Sequence, residues 1–265
     1  MSLTVARDGP VTTCIRARTE ARNAMDPESA DELTAAVLAF DADPEQRVGV
    51  LWGAGGAFCA GFDLKHAASL LGRERPLADL DFPPGGPPPR GPMGPTRLHL
   101  GKPMIAAIAG PAVAGGMELA LWCDLRVMEE SAYMGVYCRR WGVPLIDGGT
   151  VRLPRIVGRG RALDLILTGR RVGAAECLAI GLCERVVPHG RSRAAAEELA
   201  HEIARFPQGC MRADRRSVFL QEGLPEAEAL RGEWQNSSGV FVQEGAAGAA
   251  RFAAGRGRHG DMQDI

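Results

Sequence analysis

Glu118 stands in the stretch GPAVAGGMELALWCDL, Gly110 to Leu125, among small and apolar residues. Burying a carboxylate is costly unless the group is paired or put to use. An apolar pocket makes such a group hold its proton to higher pH, which suits acid–base work near neutrality. A helix N-terminus pulls the other way, and the sequence alone leaves the sign of the net shift open. The plainer alternative is a glutamate that caps its own helix or pairs with an arginine. A second stretch, GAGGAFCAGFDL from Gly53 to Leu64, shares the design. Each follows a strand-like run and leads through small residues towards a helical pattern. Small side chains let a ligand reach the main chain, and the first turn of a helix leaves N–H groups unpaired. Two such loops side by side could aim two N–H groups at one oxygen and stabilise charge developing on a carbonyl.

Other chemistries fit less well. Gly53 and Gly55 begin a G-x-G pattern, but Phe58 occupies the third glycine position of a dinucleotide loop. A P-loop and a G-x-S-x-G elbow are both missing. The five histidines lack metal-ligand spacing, and His66, one turn past the first loop, reads as a solvated helix residue. Seven cysteines without a C-x-x-C pair point to a reducing compartment rather than a disulfide framework. A net charge of −1 argues against nucleic-acid or membrane-surface binding. No secretory leader or bilayer-length apolar run is visible, so the expectation is a cytoplasmic protein. The 265 residues suffice for one large domain, alone or with a small appendage.

The elements that would position these residues follow from pattern. VTTCIRARTE alternates and reads as a strand with one solvated face. Asp26-Pro27 is an N-cap and N1 pair opening a helix with Leu33, Val37 and Phe40 on its apolar face, ending near Asp43-Pro44. RVGVLWGAGG is a buried strand running into the first glycine loop. GKPMIAAIAG repeats the theme as strand, loop and then helix from about Gly115. LRVMEE and SAYMGV are further short strands. Pro76 to Pro95, rich in Pro and Gly, reads as a surface loop, or more sharply as a lid over a site. GRGRALDLILTG, GAAECLAIGL and SRAAAEELAHEIARF are helices, the first two closed by Gly169 and Gly181. The tail from Gly223 to Gly248 is helical in pattern and leaves Phe241 and Val242 exposed.

Taken together, AFCAGFDLK, KPMIAAIAGPAVAGGMELALWCDLRV, RLPRIVGRGRALDLILTGRRVGAAECLAIGLCERVVP, EGAAGAARFAAGR and the early RNAM resemble, in order, the enoyl-CoA hydratase/isomerase (crotonase) superfamily. The resemblance implies an α/β fold, a crotonase-like spiral of ββα units with a C-terminal helical trimerisation region. It places the spiral core and acyl-CoA site in residues 1–200 and helices for trimer packing in 201–265. It implies an acyl-CoA thioester substrate, no cofactor beyond the coenzyme A of that substrate, no metal, and a homotrimer or hexamer. By motif position, the oxyanion-hole amides are those of Phe62 and Gly115, and Glu118 matches the first catalytic glutamate of the hydratases. Arg22, Ala24, Ala60, Asp63, Leu64 and Lys65 fall in the CoA-binding motifs, and Trp141 lines the acyl pocket or packs.

One position departs from the hydratase pattern. The second glutamate, within F-G-x-P-E, aligns with Cys138 in MGVYCRRWGVPLIDGG. A thiol with an ordinary pKa of about 8.5 stays mostly neutral at pH 7 and cannot hold a water as a carboxylate does. Asp147, nine residues on, is either a replacement acid or the cap of the turn after it, and Arg139 or Arg140 could pair with Asp147 or Glu118. The implied activity is hydration of a 2-enoyl-CoA with Glu118 as acid/base. Double-bond isomerisation, which can proceed with one carboxylate, is the alternative within the superfamily. A non-catalytic acyl-CoA-binding trimer is the alternative outside enzymology.

Overall fold

The computed structural model describes residues 2–257. They run in the order β1 (Leu3–Asp8), β2 (Val11–Arg16), α1 (Pro27–Ala42), β3 (Val48–Gly53), α2 (Leu64–Ser69), β4 (Met104–Ile108), β5 (Pro111–Val113), α3 (Gly115–Trp122), β6 (Leu125–Glu129), β7 (Tyr133–Gly135), α4 (Gly149–Val157), α5 (Arg159–Thr168), β8 (Val172–Gly173), α6 (Ala174–Ala179), β9 (Arg185–Val187), α7 (Ser192–Ala204), α8 (Gln208–Leu220), α9 (Glu226–Val240) and α10 (Ala246–Ala253). The chain divides into two compact units, Met1–Ala200 and His201–Ile265.

In the first unit, a six-stranded sheet has the order β1-β2-β3-β4-β6-β9. Its strands are parallel except for β1, which runs against β2. A three-stranded sheet, β5-β7-β8, stands apart from it. The chain visits the two in turn. A strand of the large sheet leads to a short extended segment at the small one, and then to a helix. This happens through β3, Cys59 (bridged to Ala112) and α2, then through β4, β5 and α3, then through β6, β7 and α4. That repetition is the ββα spiral.

Local chemistry explains the elements that matter most. Asp26 accepts from the Ser29 amide at 2.9 Å while Pro27 takes the first helical position, so α1 starts where its cap allows. Leu33, Val37 and Phe40 then lie on one buried stripe, and the helix stops at Asp43. Strand β4 is buried along its whole length, as expected of an apolar run in a parallel sheet covered on both faces. Gly169, in the left-handed region at φ 59°, ends α5.

Three expectations need correction. Strand β2 has no solvated face: Thr12, Thr13 and Arg16 are buried along with Val11 and Cys14. Its polar side chains find partners inside; Thr12 Oγ1 donates to Gln46 Oε1 at 2.6 Å and Thr13 Oγ1 to Glu197 Oε1 at 2.8 Å. Strand β5 takes the place of an expected loop, because three residues are too few to show a period. The Pro/Gly-rich segment is a surface loop only in its first part: Gly91 to Thr96 are buried, folded into a tight turn by Gly91–Gly94 hydrogen bonds in both directions.

The second unit is helical. Asn236 of α9 donates to the Ala213 carbonyl at 2.6 Å and the Ser217 hydroxyl at 2.7 Å, tying α9 to α8. Between α9 and α10, Phe241–Gly245 form a widened π-type turn with Phe241 and Val242 exposed. Among the described residues no helix is long and apolar enough to cross a membrane.

Candidate functional site

The two glycine loops run side by side. Cys59 donates to the Pro111 carbonyl at 3.1 Å and accepts from Val113 at 3.0 Å, which makes a short parallel pair. Gly61 (φ +97°) lies so close to the second loop that a Cβ there would come within 2.9 Å of the Ala114 Cβ and 3.1 Å of the Gly115 nitrogen. A Cβ on Gly116 would strike the Cys59 carbonyl oxygen at 2.1 Å. Glycine is required at both positions because main chain packs on main chain. Ala114 pays for the arrangement with φ 54° and ψ −128°, a conformation that alanine rarely adopts.

Phe62 and Gly115, the residues just past these contacts, line one cavity of about 320 Å³. Gly115 is the first residue of α3, where an N–H has no intrahelical acceptor. The Phe62 N–H donates to no protein acceptor among the described residues; its neighbours Gly61 and Asp63 are instead bonded through Met25.

Glu118, one turn into α3, is 3% exposed and lines the same cavity. Its Oε1 accepts from the Asp147 amide at 2.9 Å and from the Gly149 amide at 2.8 Å, the first amide of α4. Its Oε2 makes no hydrogen bond to the described residues. Thus the glutamate caps a helix, but the neighbouring one, and with one oxygen only. Burial pushes its pKa up to about 7, helped by the charge of Asp147 and opposed by the two amides and Arg152. Burial and the Asp147 charge together outweigh the two amides and Arg152, so the net shift is upward.

Asp147 is 2% exposed and also lines the cavity. Its Oδ1 accepts from the Met93 amide at 3.0 Å and from the Thr96 hydroxyl. It is not the cap of α4, whose N-cap is Gly148. Burial raises its pKa, against the pull of Thr96, Met93, Arg97 and Arg152. Arg152 donates to the Asp147 carbonyl at 2.9 Å and the Thr96 carbonyl at 2.6 Å, and so brings a cation near both acids. The expected arginines do neither job. Arg139 donates to the Ile166 carbonyl, and Arg140 stacks on the Tyr137 ring at 3.9 Å.

Cys138 lines the cavity from the short helical turn Tyr137–Trp141 and is buried. Burial, then the charge of Glu118, pushes its thiol pKa up, so it stays protonated at neutral pH. Ala60, Leu64 and Trp141 line the cavity as well, whereas Arg22, Ala24, Asp63 and Lys65 do not. Asp63 caps α2, accepting from the Lys65 amide at 2.8 Å, and pairs with Arg18 at 2.7 Å. The Ala24 carbonyl accepts from Arg18 at 3.1 Å, and the Arg22 carbonyl from the Ala60 amide at 3.1 Å. These residues brace the first loop. His66 sits edge-on to Phe62, their ring centres 5.7 Å apart.

Met93, Thr96 and Arg152 were not singled out from the sequence. The first two reach Asp147 across more than 50 residues, a distance at which no local pattern signals a contact. Arg152 carried a weak signal, a basic residue five positions after Asp147.

Comparison with known proteins agrees with this geometry. The family model for enoyl-CoA hydratase/isomerase matches residues 12–80 and 96–257. An enoyl-CoA hydratase of Mycobacterium tuberculosis is 37% identical over 249 residues, 91% of this chain and 89% of that one. A carnitinyl-CoA dehydratase of Escherichia coli is 35% identical over 232 residues, 87% of this chain and 85% of that one. The crystal structure of an enoyl-CoA hydratase from Mycobacterium marinum superposes with a TM-score of 0.85 at 29% identity, covering 96% of each chain. The two glycine loops, the alternation between two sheets and the match over nearly the whole chain lead to one conclusion: this protein is a member of the enoyl-CoA hydratase/isomerase family.

Proposed function

We propose that this protein is an enoyl-CoA hydratase, adding water across the double bond of a 2-enoyl-CoA. The observation that carries the reading is a single cavity lined by Phe62, by Gly115 at the start of α3, and by the buried carboxylate of Glu118, whose pKa burial raises to about 7. In this mechanism the Phe62 and Gly115 amides donate to the thioester oxygen and stabilise the enolate that forms as the β-carbon is attacked. Glu118 uses its free Oε2. Ionised, it takes a proton from water as the oxygen bonds to the β-carbon, and then delivers that proton to the α-carbon. Asp147, anchored through Oδ1, turns its other oxygen to the same water and stands in for the carboxylate that Cys138 cannot supply. No dissociable cofactor enters the scheme; coenzyme A belongs to the substrate, and Ala60 and Leu64 line the same cavity as the two amides.

Cys138 favours one rival reading, isomerisation of a 3-enoyl-CoA, in which Glu118 alone removes a proton from the α-carbon and returns it to the γ-carbon. One assay separates the two. Hydration removes the conjugated enoyl absorbance of a 2-enoyl-CoA and adds the mass of one water. Isomerisation creates that absorbance from a 3-enoyl-CoA with no change of mass. Binding of acyl-CoA without either reaction would instead support a non-catalytic role.

The quaternary and cellular assignments belong to the same proposal. Trp234, Phe241, Val242 and Phe252 leave large apolar surfaces exposed in the second unit, which supports self-association as a homotrimer, alone or paired into a hexamer. The seven cysteines are free, and six of them are buried, which supports a cytoplasmic location. Size-exclusion chromatography with light scattering tests the assembly.

A further inference from the structure

The reacting groups are few among the residues that line the cavity, and the remaining walls carry information about the acyl group. We propose that this site takes an apolar acyl group larger than crotonyl, of roughly eight to twelve carbons, by comparison with cavities of known occupancy. The inference rests on the enoyl-CoA reading and adds the substrate class to it. A cavity of about 150 Å³ lined by aliphatic and aromatic side chains holds a benzene molecule. The cavity here, at about 320 Å³, is twice that size. The enoyl thioester itself fills only part of such a volume.

The chemistry of the walls points the same way. Beyond Glu118 and Asp147, the lining is dominated by side chains such as Leu64, Leu70, Leu77, Trp141 and Ile146, with no lysine or arginine among them. Four of these are open to water: Leu64 is 44% exposed, Leu77 38%, Trp141 67% and Ile146 42%. Apolar surface gathered at the mouth of a reacting cavity is recovered from water only when an apolar chain lies across it. Part of this wall is the chain's own. Pro92 and Met93 lie in residues 81–95, which the family model passes over. Met93 packs on the second glycine loop, so closely that a Cβ on Gly115 would meet its sulfur at 2.5 Å.

The test compares kcat/KM of the full-length protein for crotonyl-CoA, 2-decenoyl-CoA and cinnamoyl-CoA, the last two separating a linear from a cyclic acyl group. At least one of the larger substrates is expected to exceed crotonyl-CoA by about tenfold or more. Equal or better turnover of crotonyl-CoA overturns the inference. Calorimetric binding of decanoyl-CoA and butyryl-CoA gives a readout independent of catalysis. Tighter binding of decanoyl-CoA by about tenfold, without turnover of any enoyl-CoA, upholds the apolar site and rejects the hydratase reading. Equal binding of the two rejects the apolar site. Ala67→Phe, which narrows the cavity from α2, should lower the decenoyl-to-crotonyl ratio of kcat/KM several-fold; an unchanged ratio contradicts the proposal.

Discussion

The main-chain amide of Asp147 donates to Glu118 Oε1 at 2.9 Å, so the backbone of one acid holds the side chain of the other. Asp147 is itself held by the Met93 amide and the Thr96 hydroxyl. The two carboxylates therefore form one chain of contacts, each anchored through one oxygen. Their environment also couples them, since the charge of Asp147 helps to raise the pKa of Glu118.

This coupling sets a pH dependence. With Glu118 raised to about 7 and active as the carboxylate, kcat/KM should fall as pH drops below about 7. The stability trend has the opposite direction. An unfolded glutamate ionises near 4.3, whereas the folded one keeps its proton to about 7. The contribution is thus fully present below the unfolded value and lost as pH rises through the folded one, a change on the order of 3 kcal/mol. Denaturant unfolding between pH 4 and pH 8 should show stability declining over this window, and the decline should flatten in Glu118→Gln.

Arg152 tunes that ionisation. Its charge lowers the pKa of Glu118, against burial. Arg152→Gln should move the kcat/KM profile to higher pH, and Arg152→Lys should restore part of the shift. A merely structural arginine would change stability without moving the profile.

Gly149 leaves no room for a side chain beside the acid. A Cβ there would lie 2.9 Å from both Cγ and Oε1 of Glu118. Gly149→Ala should displace the carboxylate and lower kcat by about 100-fold. Acyl-CoA affinity, measured by calorimetry, should change far less.

Thr96 tests the second acid. Thr96→Val removes one of the two hydrogen bonds to Asp147 Oδ1 and leaves a buried carboxylate under-satisfied. The expected cost is about 1–3 kcal/mol of stability. Because Asp147 then ionises less readily, kcat should fall as well, and more at pH 6 than at pH 8.

Much of this architecture was legible in the sequence because it rests on local rules. Asp26-Pro27 announces α1, Gly169 closes α5, and the two glycine loops show their purpose through small residues after strands. The resemblance of those loops to one superfamily added the placement of Glu118. What escaped was non-local or too short to have a period. Strand β5 spans three residues. The burial of Gly91–Thr96 depends on Asp147, far along the chain. The sign of the Glu118 shift depends on how completely the fold excludes water from its side chain, which neither composition nor spacing encodes. The ion pair of Arg18 with Asp63 likewise joins residues far apart in the chain, beyond the reach of any local pattern.

The central claim is that the Glu118 carboxylate moves the proton for an acyl group held at the Phe62 and Gly115 amides. It is tested most directly by kcat of Glu118→Gln with a 2-enoyl-CoA at pH 7, alongside the Kd for a saturated acyl-CoA. The account predicts a loss of roughly 100- to 10,000-fold in kcat with Kd changed only a few-fold. Turnover within a few-fold of the unmodified protein would contradict it.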